Sequence, residues 1–256
     1  VTVSVLYWSL TLCSAKKLHH FNNSFQLQPQ NSFKTNMRPT CVVDSVASAF
    51  PDHVYTQQDV ARLLGVQNPV VKRLLEAPHI KTRSLMLDAA PSSPGPMPQE
   101  NLSGLNRRFH EGIATIGLQA AKAAMDKAGV EPAAIGAVVA VTSSGLPLPG
   151  ISAILIRDLG VSRRAQRADL VGMGCNAGVT GMRTICQLLA GRPLGTVGLL
   201  LCVEVSSALY VRNDSVGTGI VNSLFGDGAV ASVVRSVAPP DVPVDTCTAS
   251  TNKSLP

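Results

Sequence analysis

The sequence predicts an α/β fold: a sheet with helices on both faces, forming one globular domain or most of one. Three observations carry this. Apolar runs at Ala137 to Val141, Ala168 to Val171, Val197 to Val203 and Ala229 to Val234 are nearly continuous and too short for helices, as strands buried on both sides are. Helical patterns alternate with them. The 256 residues, 45% hydrophobic and 15% charged, suffice to bury a core.

The elements follow in order from Thr40. Cys41 to Ala47 reads as a strand, and Pro51-Asp52 as a turn. Thr56-Gln57-Gln58-Asp59 opens a helix, with Thr56 as N-cap and an acid in the first turn. Asn68-Pro69 opens a second, Val70 to Ala77, because proline is tolerated in a first turn. Pro91, Pro94, Pro96 and Pro98 exclude regular structure and mark an exposed loop. One long helix is expected from about Leu105 to Ala128, its stripe made by Ile113, Ile116, Gly117, Ala120, Ala124 and Ala128, with Gly129 as its stop. Beyond the strand at 137–141 come helices at Ile151 to Leu159 and Asn176 to Leu189, interleaved with the remaining strands to make five in all. Ala238-Pro239-Pro240 ends the pattern. The division expected is therefore an unpatterned leader at 1–38, a folded domain at 39–238 and a disordered tail at 239–256.

Charge supports that division. The net charge is +6, yet residues 1–38 hold Lys16, Lys17, Lys34 and Arg38 and no acid, which leaves +2 for the rest. A nucleic-acid footprint on the body is not expected. Five of the ten aromatic residues, Tyr7, Trp8, Phe21, Phe25 and Phe33, also fall in the leader. Met37 directly precedes the ordered pattern, so the leader is expected to be non-native or native translation to begin at Met37. The rival reading is a signal peptide, since Val1 to Leu12 is apolar and Cys13-Ser14-Ala15 is small; the basic segment that should come first is lacking. No apolar run approaches the ~18 to 20 residues of a membrane span. Cysteines at 13, 41, 175, 186, 202 and 247 form no CxxC and no cluster with histidine, so no metal site is expected, and reduced, cytoplasmic thiols are.

Cys175 is the candidate nucleophile. Val171-Gly172-Met173-Gly174-Cys175-Asn176-Ala177-Gly178 lies where a buried strand meets a helix. There the unpaired N–H groups and the positive end of the helix dipole favour a thiolate and lower the thiol pKa from ~8.5. Flanking glycines let an acyl carbonyl approach backbone donors, as nucleophilic acyl transfer requires. A lone cysteine is more commonly a core side chain. Two other motifs overlap the segment and fail. Gly172, Gly174 and Ala177 fit a dinucleotide-binding GxGxxA, but no acid stands ~20 residues on to hold a ribose. The hydrolase elbow needs glycine at 173, which is Met.

Three ordered motifs, Gly174-Cys175-Asn176-Ala177-Gly178, Leu201-Cys202-Val203-Glu204-Val205-Ser206-Ser207 and Ser223-Leu224-Phe225-Gly226-Asp227-Gly228-Ala229, resemble those of type III polyketide synthases, the chalcone/stilbene synthase family of the thiolase superfamily. Ile80-Lys81-Thr82-Arg83 and Thr142-Ser143-Ser144-Gly145 add to the resemblance, which covers about Thr40 to Arg235. The Cys-Asn-Ala-Gly and Cys-Val-Glu-Val forms look nearer to bacterial-type 3,5-dihydroxyphenylacetyl-CoA synthases than to plant chalcone synthases.

The resemblance implies the first half of a thiolase-like fold, a five-stranded mixed sheet with helices on both faces. It implies that Cys175 takes an acyl group from an acyl-CoA as a thioester, extended by the carbanion left when malonyl-CoA is decarboxylated. CoA thioesters are then substrates, no cofactor or metal is needed, and the full-length family member is a homodimer. Phe225 matches the gatekeeper between CoA tunnel and cavity, Ser144, Ser206 and Leu209 match positions lining the acyl cavity, and Leu148 matches one that reaches into the neighbouring subunit. Arg73 matches a residue that meets CoA phosphates, but the companion lysines are replaced by Val70 and Ala77, which weakens that reading. Gly226, Asp227 and Gly228 are expected to form a tight structural turn that uses glycine's unusual backbone angles.

The family's catalytic His and Asn lie beyond its Phe-Gly-Asp-Gly motif, whereas His19, His20, His53, His79 and His110 all precede Cys175. This chain is therefore expected to be truncated, poorly soluble alone and inactive in condensation by itself. The alternatives are a relative of ketoacyl synthase III or hydroxymethylglutaryl-CoA synthase, sharing the cysteine chemistry, and a non-catalytic truncated relative that retains only dimerisation.

Overall fold

A computed structural model describes residues 40–76, 79–213 and 215–239. The leader at 1–38, nearly all of the tail at 239–256 and position 77 lie outside the described residues. The expected mixed sheet of five strands is present.

Its strands are β1 (Thr40–Ala49), β4 (Ile135–Thr142), β5 (Gln166–Val171), β6 (Val197–Val205) and β7 (Asp227–Val237), in the spatial order β1-β7-β6-β4-β5. β4 runs parallel to β5 and β6, while β7 is antiparallel to both β6 and β1. A two-stranded ribbon, β2 (Val54–Thr56) with β3 (Thr82–Ser84), stands apart and was not foreseen.

Side chains alternate across β4 with the period of a strand. Val138 and Ala140 join the larger core, beneath helices α3 (Leu102–Gly112), α4 (Leu118–Ala128) and α5 (Ile151–Leu159). Ala137, Val139 and Val141 face the other way, toward α6 (Ala177–Ala190). A third apolar cluster, including Tyr55, Leu63, Leu75, Leu85, Met97 and Tyr210, lies around α1 (Gln57–Leu64) and α2 (Pro69–Leu75). At the start of α1 the Thr56 side chain accepts from the Asp59 N–H and the Asp59 carboxylate accepts from the Thr56 N–H, a complete capping box. Among the described residues no helix is long and apolar enough to cross a membrane.

Three expectations are corrected. The segment read as one helix starts earlier, at Leu102, and is broken by a π turn at Ile113–Gly117, where the Thr115 hydroxyl donates to the Glu111 carbonyl. The stripe of small residues survives because the wider turn keeps Ile113, Ile116, Gly117, Ala120 and Ala124 all facing the sheet. β5 is not buried: it is an edge strand, and its residues are half-buried or exposed. The proline-rich loop has no helix or strand and is largely exposed, as expected, and it is anchored, since Arg62 donates to the carbonyls of Pro91 and Ser93 and the Met97 N–H donates to Leu63 O at 2.8 Å. A further helix, α7 (Val216–Leu224), was missed. Finally, the Gly226-Asp227-Gly228 turn does not exist. Asp227 and Gly228 begin β7, and neither Gly226 nor Gly228 has a positive φ.

The approach of α3 to the sheet depends on Gly112. A methyl there would lie 2.4 Å from Val205 Cγ2 and 3.1 Å from Met86 Sδ, and a β-branched valine on a strand has little freedom to move aside. Gly112→Ala is therefore expected to destabilise the fold by about 1 to 3 kcal/mol, although alanine is the better helix former. Adding Val205→Ala should recover part of that loss. A urea midpoint for Gly112→Ala at or above that of the wild type would contradict the packing argument.

Candidate active site

The carboxyl ends of the parallel strands β4, β5 and β6 converge on one edge of the sheet, the place where open α/β sheets gather their chemistry. After β5 the chain makes a tight excursion through Gly172 and Gly174, with φ +73° and +68°, values at which a Cβ is strained. A 3₁₀ turn, Gly174–Asn176, then leads into α6, whose N-terminus has no side-chain cap. Cys175 sits on that turn, exposed and free.

The turn is tied to the end of β4. The Gly172 N–H donates to Thr142 O at 3.1 Å and the Gly174 N–H to Ser143 Oγ at 2.9 Å. Ser143 is held in turn from β6, because its N–H donates to Glu204 Oε1 at 2.8 Å and Oε2 at 3.0 Å. Burial pushes the Glu204 carboxyl above the usual carboxylate range, against the lowering effect of its hydrogen bonds from residues 142–144. Ser144 is buried beside this group, with its Oγ accepting from the Val205 N–H at 2.8 Å and lying 3.3 Å from Thr142 Oγ1.

Among the residues singled out from sequence, Cys175 and Ser144 thus lie on segments joined by short hydrogen bonds. Ser206 and Leu209 lie on the 3₁₀ turn that directly follows β6, Ser206 half-buried and Leu209 exposed. Leu148, on the loop between β4 and α5, is 93% exposed. Arg73 is exposed on α2. That helix packs on α7, where a Cβ added at Gly219 would come within 2.5 Å of Val71 Cγ2, and Phe225 caps the C-terminal end of α7. His110 is exposed on α3, edge-on to Phe109.

Phe225 is half-buried and its backbone is clamped. Its carbonyl accepts from Arg83 Nη1 at 2.7 Å and from Tyr210 Oη at 2.8 Å. Asp227, fully buried, accepts from Ser207 N, Ser207 Oγ and Met86 N at 2.8, 2.6 and 2.7 Å, so it ties the turn after β6 to the segment after β3. Burial raises its carboxyl above the usual range.

Sequence reasoning gave no role to Arg83, Ser143 or Glu204, although each stood in a segment it quoted. The signal that could have found Glu204 is a single acid inside the apolar run Leu199 to Val205. A charge in that setting requires hydrogen-bond partners at the end of the strand.

The five-stranded mixed sheet with its covering helices is a thiolase-like fold, shared with solved type III polyketide synthases. The chain superimposes on PKS-I from the brown alga Ectocarpus siliculosus with a TM-score of 0.70 at 24% identity, over 82% of this chain and 60% of that one. With the C-terminal type III polyketide synthase domain of Steely1 from Dictyostelium the TM-score is 0.67 at 26% identity, covering 79% and 58%. Residues 32–238 match the chalcone and stilbene synthases, N-terminal domain, and the chain belongs to that family. It is 35% identical over 192 residues to a 3,5-dihydroxyphenylacetyl-CoA synthase of Amycolatopsis balhimycina, covering 75% of this chain and 51% of that protein. It is 31% identical over 206 residues to a 1,3,6,8-tetrahydroxynaphthalene synthase of Streptomyces peucetius, covering 75% and 52%. The chain spans about half the length of the curated relatives it matches.

Proposed function

We propose that residues 39–238 are the nucleophile-bearing half of a type III polyketide synthase acting on CoA thioesters in the cytoplasm. The Cys175 thiolate attacks the carbonyl of an acyl-CoA, the C–S bond to CoA breaks, and CoA leaves as its thiol after taking up a proton. The enolate formed when malonyl-CoA loses carbon dioxide then attacks the thioester carbonyl, a C–C bond forms as the C–S bond to Cys175 breaks, and the lengthened acyl group is left on CoA with the thiolate regenerated. CoA thioesters are substrates, and the reading assigns no metal or prosthetic group.

The observation that carries this reading is the exposed Cys175 on a turn between β5 and the uncapped N-terminus of α6. Donors there can face an oxyanion that develops next to the sulfur. Phe225 is read as the gatekeeper, Ser144, Ser206 and Leu209 as cavity positions, and Arg73 as a CoA-phosphate contact. Leu148 is read as the reach of one protomer into the other of a homodimer. Its 93% exposure and the exposed stripe Val216, Ile220 and Leu224 on α7 give the chain apolar surface for such association.

The test is intact-mass analysis of the chain with acetyl-CoA, then with malonyl-CoA. A slow acetyl adduct on Cys175 is expected, absent in Cys175→Ala, with no polyketide released by this chain alone. Failure to acylate the folded chain would favour a non-catalytic relative. Any pyrone or resorcinol product that disappears in Cys175→Ala would show that this half suffices for condensation.

A further inference from the structure

We propose that Ser143 is a positioning residue for the nucleophile, fixing through its hydroxyl the turn from which Cys175 projects; this rests on the reading of Cys175 as the nucleophile. The segment Gly172-Met173-Gly174 has two glycines in left-handed backbone conformations flanking an exposed methionine, so little within the turn itself holds it. Its geometry must be imposed from outside, and two hydrogen bonds impose it.

The first runs from the Gly172 N–H to the carbonyl of Thr142, which any residue at 142 would provide. The second runs from the Gly174 N–H to Ser143 Oγ at 2.9 Å and needs a hydroxyl at this position. It acts one residue before the thiol. Ser143 is itself immobilised, since its N–H is shared between the two Glu204 oxygens, and Glu204 stands on β6 inside the sheet. The position of the Cys175 turn is thereby referred to the sheet through Gly174, Ser143 and Glu204 in sequence. Without the Ser143 hydroxyl, the Gly174 N–H is free to turn to water, and the turn that carries the thiol into α6 loses one of the two bonds that fix it.

The test uses the complete chain and iodoacetamide, with labelling of each cysteine followed by mass mapping. Ser143→Ala is expected to slow alkylation of Cys175 about fivefold, the factor that one neutral hydrogen bond contributes. Ser143→Thr, which keeps the oxygen, should restore the rate. Equal rates in wild type and Ser143→Ala would overturn the proposal. So would a loss that Ser143→Thr fails to restore while Cys186 and Cys202 become labelled, because the residue would then be supporting the fold as a whole. Acetyl-CoA provides the separate arm: a wild-type chain that shows the Ser143 effect on alkylation yet takes no acetyl group refutes the acyltransferase reading and leaves the positioning role in place.

Discussion

Arg83→Met is expected to lower the unfolding free energy by about 3 to 5 kcal/mol, because several buried acceptors lose a charged donor, at about 1 to 3 kcal/mol for each left unsatisfied. Arg83 is 2% exposed. Its Nη1 donates to Tyr210 Oη at 2.6 Å and to the carbonyls of Asn222 and Phe225, each at 2.7 Å, while Nη2 donates to Gln57 Oε1 at 2.8 Å. Gln57 Nε2 continues the network to Ser223 O at 2.9 Å. A cation therefore closes the C-terminal end of α7, where unpaired carbonyls and the negative end of the dipole would otherwise be buried. Methionine fills the aliphatic volume and supplies no donor. Lysine keeps the charge but not the planar fork, so Arg83→Lys should fall between the two. Denaturant midpoints for the three chains decide it, and an unchanged midpoint in Arg83→Met would mean that Tyr210 and Gln57 suffice.

Iodoacetamide at pH 8 is expected to label Cys175 at least ~100-fold faster than Cys186 or Cys202. Burial, aided by the neighbouring Cys41, pushes the Cys186 thiol up to about 12. Burial, aided by the Glu204 carboxyl, does the same to Cys202, also to about 12. A raised thiol pKa means less of the reactive thiolate, so at pH 8 only about one molecule in ten thousand carries it at either position. Their labelling should therefore rise about tenfold per pH unit up to that value. Cys175 is open to solvent on its turn. Mass mapping gives the three rates in one experiment, and equal labelling would remove the claim that Cys175 stands apart.

Much of the architecture was legible because it rests on local physics. Four of the five strands announced themselves as short apolar runs, and Thr56 with Asp59 marked the start of α1, where the structure puts the expected N-cap and adds the reciprocal bond from Asp59. What escaped depends on neighbours distant in sequence. Ala168 and Leu170 are as apolar as any central strand, yet nothing in them says that β5 lies at the edge of the sheet. Asp227 between two glycines has the composition of a turn. Its partners Ser207 and Met86 lie 20 and 141 residues away, and they make it the buried first residue of a strand. α7 was hidden by Gly217 and Gly219, poor helix formers, the second of which is required where the helix crosses Val71. At the candidate site the place of Cys175 between a strand and a helix was legible, whereas Ser143, just past the end of β4, and Glu204, on β6, become visible beside it only when β4, β5 and β6 lie side by side.

The strand order also carries a consequence for the birth of the molecule. Among the described residues β1 is the first strand to leave the ribosome and β7, its partner, is the last, with Ala49 pairing Ala229 and Thr40 pairing Val237. β6 likewise lacks one of its two neighbours until β7 arrives. Through most of synthesis the nascent chain thus presents β1 as an unsatisfied ladder tipped with Val42, Val43 and Val46, which even the finished fold leaves exposed. Closing so long a loop comes late and slowly, since its entropy is lost before any pairing compensates it. For this chain the interval between translation of Ala49 and of Ala229 is the period of greatest exposure to aggregation and to chaperones.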